Sequence, residues 1–385
     1  MARNIQSLWR ITSNVFNWSI TQNICVSGIR SLYTASALGL ESYRRQRENI
    51  NNQFHNVSDN FRERMLAAVK GESTMIFTED LKNMFHLAND NPSDFELLSK
   101  MLVKFNSQNK ELRFGSFVFG PVAMRTYHHF NKADEAFSAF NNPDLKGVFF
   151  QVSSCQILMD LLFEQARYAD VRQVWDTVQT ELLSTGTPQS LLILLFAACY
   201  KENSPESFEY AINVHRTLKN KGGYLVRRAS TFFAGLALHQ GRPDIAVEIT
   251  FSEHQSNYVS VRLLKVAALA ELDRLHDVLS ILRNSLTFDR PNLRKHVYPA
   301  EVIERVEKAI ERAQLCENEP IVTIVKQLKL NEQIENSTLD DILCLPIQGF
   351  VRNNTTSGEA PSKFKGYNRN QRIRRAYTAD SQELY

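Results

Sequence analysis

The chain has 385 residues and a formal net charge of +3, with 43% hydrophobic and 23% charged residues. This composition is close to that of globular proteins, so it excludes a collagen-like or generally disordered chain and allows two or three domains or one repeat array. The longest apolar run, residues 191–200, is too short for a transmembrane helix, which needs about 20 residues.

The N-terminal region is rich in arginine and hydroxyl side chains. Residues 1–40 hold three Arg and nine Ser or Thr but no Asp or Glu, and their apolar residues recur at roughly helical spacing. This pattern is typical of a mitochondrial transit peptide. We therefore predict a cleavable leader over residues 1–35, import into the mitochondrial matrix, and a linker over residues 36–59. The alternative is a disordered N-terminal arm.

The five cysteines are odd in number and widely spaced, at positions 25, 155, 199, 316 and 344. They form no C-x-x-C pair, which argues against a disulfide framework or a structural zinc site and indicates a reducing compartment. Cys155 and Cys199 lie on apolar helix faces, so we expect both thiols in the core.

From about residue 60 to residue 285 a helix–break–helix unit recurs. Breaks can be placed at six positions, namely Asn91, Asn131, Ala166, Asn203, Gly241 and Asp273, at spacings of 40, 35, 37, 38 and 32 residues. An acidic residue follows each break, where it complements the dipole of the second helix. A period in the middle thirties with two helices per unit predicts an all-α fold, a right-handed α-solenoid of about six degenerate helix-turn-helix repeats. The alternative is an ordinary helical bundle with accidental near-periodicity.

The C-terminal part divides into two regions. Residues 286–346 contain amphipathic helical segments that we expect to cap the array. Residues 347–385 carry seven Lys or Arg and three acids, and a Gly/Ser/Thr-rich stretch precedes most of these cations. This composition predicts a disordered basic tail. After the +5 of residues 1–47 and the +4 of this tail are subtracted from the total of +3, the body has a net charge of −6. An acidic body disfavours a generic nucleic-acid-coating protein.

The repeats resemble those of the pentatricopeptide repeat family. The carrying segments are Leu158–Glu164, Leu238–Ala246 and Asn131–Ala136, which match its first helix, turn and second-helix start. The resemblance implies binding of single-stranded RNA, about one base per repeat, by side chains of the first helices. It also implies a mitochondrial role in RNA maturation and in maintenance of the respiratory chain.

At the base-facing position that the family implies, only Gln156 and Thr231 are polar; Leu81, Pro121, Ile193 and Leu263 cannot form the hydrogen bonds of a base code. Cations near the first helices are the candidate phosphate contacts, with Arg228 beside Arg227 as the best pair and with Lys201, Arg262 and Lys265 as weaker ones. The alternative for all of them is solvated surface charge.

In the tail, cations attract phosphate and aromatic rings can stack on bases. The candidate residues there are Lys363, Lys365, Tyr367, Arg369, Arg372, Arg374 and Arg375. The alternative is a tail that only improves solubility.

An enzyme is not indicated. The sequence has neither a phosphate-binding glycine motif nor the H-x-E and C-x-x-C pair of a zinc deaminase. His128 and His129 lie among aromatic residues, which favours packing over ligation. We predict a non-catalytic, cofactor-free protein that binds mitochondrial RNA and has no membrane span. The alternative function is a protein-interaction scaffold of the mitochondrial ribosome or of an RNA-processing complex.

Overall fold

The computed structural model describes residues 31–71, 74–108, 117–252, 258–287 and 296–348. These residues form seventeen α-helices and one pair of two-residue parallel strands, β1 (Tyr298–Pro299) and β2 (Ile334–Glu335). The helices are α1 (Leu40–Phe54), α2 (Ser58–Lys70), α3 (Thr78–Leu87), α4 (Pro92–Ser107), α5 (Gly120–His129), α6 (Ala133–Asn141), α7 (Val152–Glu164), α8 (Tyr168–Thr185), α9 (Gln189–Glu202), α10 (Pro205–Asn220), α11 (Arg227–His239), α12 (Pro243–Ser252), α13 (Val259–Glu271), α14 (Leu275–Thr287), α15 (Ala300–Arg312), α16 (Pro320–Leu330) and α17 (Leu339–Leu343).

The first sixteen helices form eight consecutive pairs that stack side by side. The odd-numbered helices α1 to α15 contact one another in sequence and form an inner row. The even-numbered helices α4 to α14 each pack beside the inner helix that precedes them, whereas α2 packs on α4 and α16 packs on α14. Such a stack of two-helix units is an α-solenoid, which confirms the predicted fold class. The six pairs from α3 to α14 correspond to the six units recognised in the sequence.

The inner helices α9 and α13, in the C-terminal half of the row, are buried on all sides. Every residue of α9 from Leu191 to Tyr200 is buried, and the same holds for α13 from Ser260 to Ala270. A helix that is apolar around its whole circumference has no face suited to water. The inner row therefore forms a continuous hydrophobic core along the array, in which Cys155 and Cys199 are buried as expected.

The turns within the pairs lie at the predicted breaks. Asn131, Ala166, Asn203, Gly241 and Asp273 all have left-handed backbone, with φ between 49° and 66°. A positive φ ends the inner helix and reverses the chain, and it suits glycine and asparagine better than other residues. The break at Asn91 differs, since its φ is −136° and its side chain instead caps α4 by accepting from the amide of Asp94.

Acidic residues at the start of the outer helices pair with the arginine that follows the turn. Arg167 contacts Asp170 at 2.6 Å, Arg242 contacts Asp244 at 2.9 Å, and Arg274 contacts Asp277 at 2.5 Å. The carboxylate thus complements both the helix dipole and a neighbouring cation. Exposed pairs of this kind contribute little stability individually, about 0–1 kcal/mol.

Polar contacts also join each turn to the next repeat. The Gln165 amide donates to the main-chain oxygen of Asn131 at 3.1 Å, and Gln240 donates to that of Asn203 at 3.0 Å. Arg312 forms the equivalent contact with the side chain of Asp273 at 2.8 Å. These contacts satisfy polar groups that the left-handed turn leaves without a helical partner.

The predicted N-terminal division is wrong in two respects. Residues 36–59 are not a linker, because they contain α1 and the start of α2, and α1 buries Leu40 and Tyr43 against the array. Residues 31–35 are part of the folded body, since Leu32 and Tyr33 belong to the core. Residues 1–30 lie outside the described residues, so the predicted leader remains a prediction with its boundary moved to before Ser31.

The C-terminal helices continue the array before the chain turns back. Helix α15 packs on α13 and α16 packs on α14, which extends both rows by one pair. Helix α17 then contacts α11 and α13 instead of adding to the end of the stack. Within the described ranges, no helix combines the length and the hydropathy that crossing a bilayer requires.

Candidate nucleic-acid interface

The two polar base-facing residues predicted on the inner helices differ in accessibility. Gln156 on α7 is half-buried, whereas Thr231 on α11 is fully buried and its hydroxyl donates to the carbonyl of Arg228 at 2.9 Å. Leu81 and Leu263, at the equivalent position of other repeats, have no exposed surface. The base-facing set is therefore not presented to solvent as a row.

Two segments of the chain itself cover the inner row. We call residues 31–39 the N-terminal segment and residues 338–348 the C-terminal segment. They meet in a parallel bridge, in which the amide of Ile347 donates to Leu32 at 2.8 Å and the amide of Thr34 donates to Ile347 at 3.1 Å. The inner face is thus closed by contacts between parts of the chain more than 300 residues apart in sequence.

The N-terminal segment is anchored on three inner helices. The Tyr33 hydroxyl donates to the carbonyl of Ser190 in the first turn of α9 at 3.2 Å, and the Tyr33 amide donates to Asp160 on α7 at 3.3 Å. Arg125 on α5 donates to the carbonyl of Leu38 at 2.8 Å. Burial raises the pKa of the Tyr33 hydroxyl, with the negative charge of Asp160 adding to the effect, so this group stays protonated.

The C-terminal segment is held mainly by two of the predicted RNA-binding residues. The Arg228 guanidinium donates to the carbonyls of Leu343 at 2.8 Å and Leu345 at 2.6 Å. Lys201 contacts both carboxylate oxygens of Asp340 at 2.7 Å. A cation near a helix C-terminus suits the carbonyls exposed there, so Arg228 stabilises the end of α17.

The other three predicted RNA-binding cations of the body pack on aromatic rings. The Arg227 guanidinium lies 4.1 Å from the ring centre of Tyr258. Arg262 and Lys265 are less than 10% exposed and lie 5.9 Å and 4.8 Å from aromatic rings, those of Tyr298 and Phe251. Long cationic side chains often cover apolar surface in this way. Our expectation of open phosphate contacts at Arg228, Lys201, Arg262 and Lys265 does not match these positions, because local spacing does not reveal which distant segment covers a helix.

The predicted tail contacts lie outside the described residues. These are Lys363, Lys365, Tyr367, Arg369, Arg372, Arg374 and Arg375, and their role remains a prediction. The described chain ends at Gln348, directly after the bridge at Ile347. The tail therefore begins at the inner face and not at the distal end of the array.

A pocket of about 850 Å³ opens beside the bridge, between α5, α7 and the N-terminal segment. Its lining includes Arg44, Asn131 and Gln165, together with His128 and Glu164. His128 lies 3.4 Å from Asp160 and 3.7 Å from Glu164, polar contacts that the prediction of packing did not include, whereas His129 packs on aromatic rings as expected. Burial raises the pKa of Glu164 above its ordinary value, and Asp160 raises it further.

Sequence reasoning missed this cluster, although one signal was present. Asp160 and Glu164 are four residues apart on one helix, which places both carboxylates on the same face. The proximity of His128 depends on how α5 packs on α7, which no local pattern encodes.

The chain is similar over most of its length to a set of named proteins. The protein "Pentatricopeptide repeat-containing protein 2, mitochondrial" of Mus musculus is 28% identical over 280 residues, 71% of each chain. The proteins of the same name from Homo sapiens and Danio rerio are 26% and 25% identical, over 71% and 82% of this chain and 70% and 81% of their own lengths. No family model matches the chain.

Proposed function

We propose that the chain is a non-catalytic protein of the mitochondrial matrix that binds single-stranded mitochondrial RNA and takes part in its maturation, and thereby in respiratory-chain function. The observation that supports this proposal most is the α-solenoid of two-helix repeats in a chain that resembles, over 71% of its length, mitochondrial proteins named for pentatricopeptide repeats. The leader-like composition of residues 1–30 is consistent with the same compartment.

The tail is the favoured contact for RNA. Six of its seven candidate residues, from Lys363 to Arg375, are cationic, and the seventh, Tyr367, lies between them. Such a mixture attracts the phosphate backbone and stacks on bases without a sequence code. In the body, by contrast, Arg228 and Lys201 already hold the C-terminal segment, so RNA would have to displace that segment to reach them.

The test is a fluorescence-anisotropy titration of labelled mitochondrial transcripts with the full chain at several salt concentrations. We expect micromolar or tighter binding that weakens with salt, with a log–log slope of about 0.7 per phosphate contact for a single strand. Deleting residues 349–385 should reduce both the affinity and the slope. The double variant Arg227→Ala/Arg228→Ala is the matched body variant and should change the slope little.

Two results would count against this proposal. Absence of salt-dependent RNA binding by the full chain would remove RNA as the partner. Unchanged binding after the tail deletion, together with weaker binding by the double arginine variant, would instead move the contact to the inner face.

A protein-interaction scaffold is the second candidate, and one observation favours it. The inner face already binds a segment of polypeptide, since Arg228 donates to main-chain carbonyls and Lys201 contacts the side chain of Asp340. A groove that recognises main chain in this way suits a peptide of a ribosomal or RNA-processing partner. Retention of such partners after RNase treatment, without crosslinking to RNA, is the result that this candidate requires.

A further inference from the structure

We propose that His128, Asp160 and Glu164 bind one divalent transition-metal ion of the Zn²⁺ class. The three side chains offer one imidazole nitrogen and two carboxylates, and their ligand atoms lie within 4.8 Å of one another. This inference goes beyond the proposed function and does not depend on RNA binding.

Two adjacent inner helices hold the three side chains in place. Asp160 and Glu164 are one helical turn apart on α7, so they project from the same face. His128 is at the end of α5, which packs directly against α7. Ligands carried by packed helices are better fixed than ligands carried by loops.

The distances from the His128 nitrogen to the two carboxylate oxygens fit the tetrahedral coordination of a zinc ion. The His128 Nε2 atom lies 3.4 Å from Asp160 Oδ2 and 3.7 Å from Glu164 Oε2. Bonds of about 2.0–2.2 Å to zinc in a tetrahedron separate the ligand atoms by about 3.3–3.6 Å. The two distances from His128 need shifts of only a few tenths of an ångström to reach these values, and the two carboxylate oxygens lie within 4.8 Å of each other.

The charge of the cluster also favours a cation. Asp160 has no exposed surface, and buried carboxylates are normally paired or bound to a metal. Its described neighbours are the Tyr33 amide at 3.3 Å and the Ser31 hydroxyl at 3.4 Å, both long for hydrogen bonds to a carboxylate. Among the described residues, His128 is the only side chain that forms an ion pair with Asp160 or Glu164. Arg44 lines the same pocket.

The pocket leaves room for the remaining ligand. The space of about 850 Å³ beside Glu164 can hold water, which would complete a four-coordinate ion. A nitrogen ligand together with two carboxylates suits zinc and its first-row neighbours. Magnesium fits less well, because it requires near-octahedral oxygen ligands and loses water reluctantly.

The experiment is a calorimetric titration of the chelator-treated full chain with Zn²⁺, and separately with Mg²⁺. We expect one Zn²⁺ per chain and much weaker binding of Mg²⁺. Titration with Co²⁺ should give the visible absorption of a four-coordinate ion without a thiolate charge-transfer band, which separates this site from adventitious binding by Cys316 or Cys344.

Two variants identify the ligands. Glu164→Gln keeps the size of the side chain and His128→Ala removes the nitrogen ligand. Each should weaken Zn²⁺ binding by more than about 100-fold, since loss of an outer-shell partner alone costs about 10–100-fold. His276→Ala is the control, because His276 is exposed on α14 and distant in sequence from the cluster. Circular dichroism verifies that each variant keeps the helical fold.

The proposal is overturned if the wild-type chain binds no Zn²⁺ at one ion per chain, or if folded Glu164→Gln binds it as tightly as wild type. The cluster would then be a polar contact of His128 with two carboxylates that holds no metal ion. A thiolate band in the Co²⁺ spectrum would likewise assign the ion to cysteine.

Discussion

Replacement of Arg228 by alanine should detach the C-terminal segment from the inner face without unfolding the array. The guanidinium is the donor in two hydrogen bonds to main-chain carbonyls, those of Leu343 at 2.8 Å and Leu345 at 2.6 Å. A hydrogen bond from a charged group contributes about 1.5–3 kcal/mol when it is buried. Because Leu345 is exposed and water can replace its donor, we expect a combined loss of about 2 kcal/mol.

This loss of stability should measurably increase the rate of hydrogen–deuterium exchange. A difference of about 1.4 kcal/mol is tenfold in an equilibrium, so about 2 kcal/mol should increase local opening roughly 30-fold. Hydrogen–deuterium exchange should show this increase in residues 338–348 and, through the bridge at Ile347, in residues 31–39. Exchange in α9, on the inner row, should stay as slow as in wild type.

A neighbouring arginine provides the matched control. Arg227→Ala removes a cation of the same charge, whose guanidinium stacks on Tyr258 at 4.1 Å. It should leave exchange in residues 338–348 unchanged. Arg228→Lys should fall between wild type and Arg228→Ala, because an ammonium cannot reach both carbonyls with the geometry of the guanidinium. Equal exchange in Arg228→Ala and wild type would refute our assignment of Arg228 as the clamp.

Three further predictions concern stability. Burial lowers the pKa of His86 from 6.5 to about 4, with smaller contributions from the charges of Arg47 and Lys82. The unfolded state therefore takes up a proton first as the pH falls. Stability should therefore decrease between about pH 6.5 and pH 4, by up to about 3 kcal/mol, and chemical denaturation of His86→Leu should lack this component. Gly120→Ala should destabilise the array by about 1–3 kcal/mol or more, measured by denaturant midpoint, because its Cβ would lie 2.6 Å from the carbonyl of Val148. Removal of residues 1–30 should leave the melting temperature unchanged, whereas removal of residues 1–35 should lower it by several degrees, since Tyr33 is lost; equal melting temperatures would contradict our placement of the leader boundary.

The repeat architecture could be predicted from the sequence because its signals are local. A turn with positive φ requires a suitable residue at one position, and Asn131, Asn203 and Gly241 supply it. The helix that follows starts within two residues, where an acid complements its dipole. Ala166 and Asp273 were found from the spacing and from the acid that follows each of them, although alanine is a poor residue for left-handed backbone.

Helix α1 was missed because its sequence is strongly polar. Of its fifteen residues, only Leu40 and Tyr43 are buried, so it lacks the broad apolar stripe of a surface helix. Its place in the array depends on contacts such as the hydrogen bond from the Tyr43 hydroxyl to the carbonyl of Phe85 at 2.9 Å. Contacts of that kind are made across 42 residues and leave no periodic signal.

The covering of the inner face also depends on contacts between residues that are distant in sequence. It changes what the predicted base-facing residues can do. Arg228 and Leu343 are 115 residues apart, so the sequence predicted a phosphate contact at Arg228, where the fold places a clamp on the C-terminal segment. Apolar base-facing residues such as Leu81 and Leu263 also indicated a packed row. A row that reads bases needs hydrogen-bonding groups, whereas a row that packs on the chain's own segments needs apolar ones. The inner row of this solenoid is accordingly built as a core. Any reading of nucleic acid by it requires release of the C-terminal segment first, at a cost set by Arg228, Lys201 and the burial of Leu339 and Leu343.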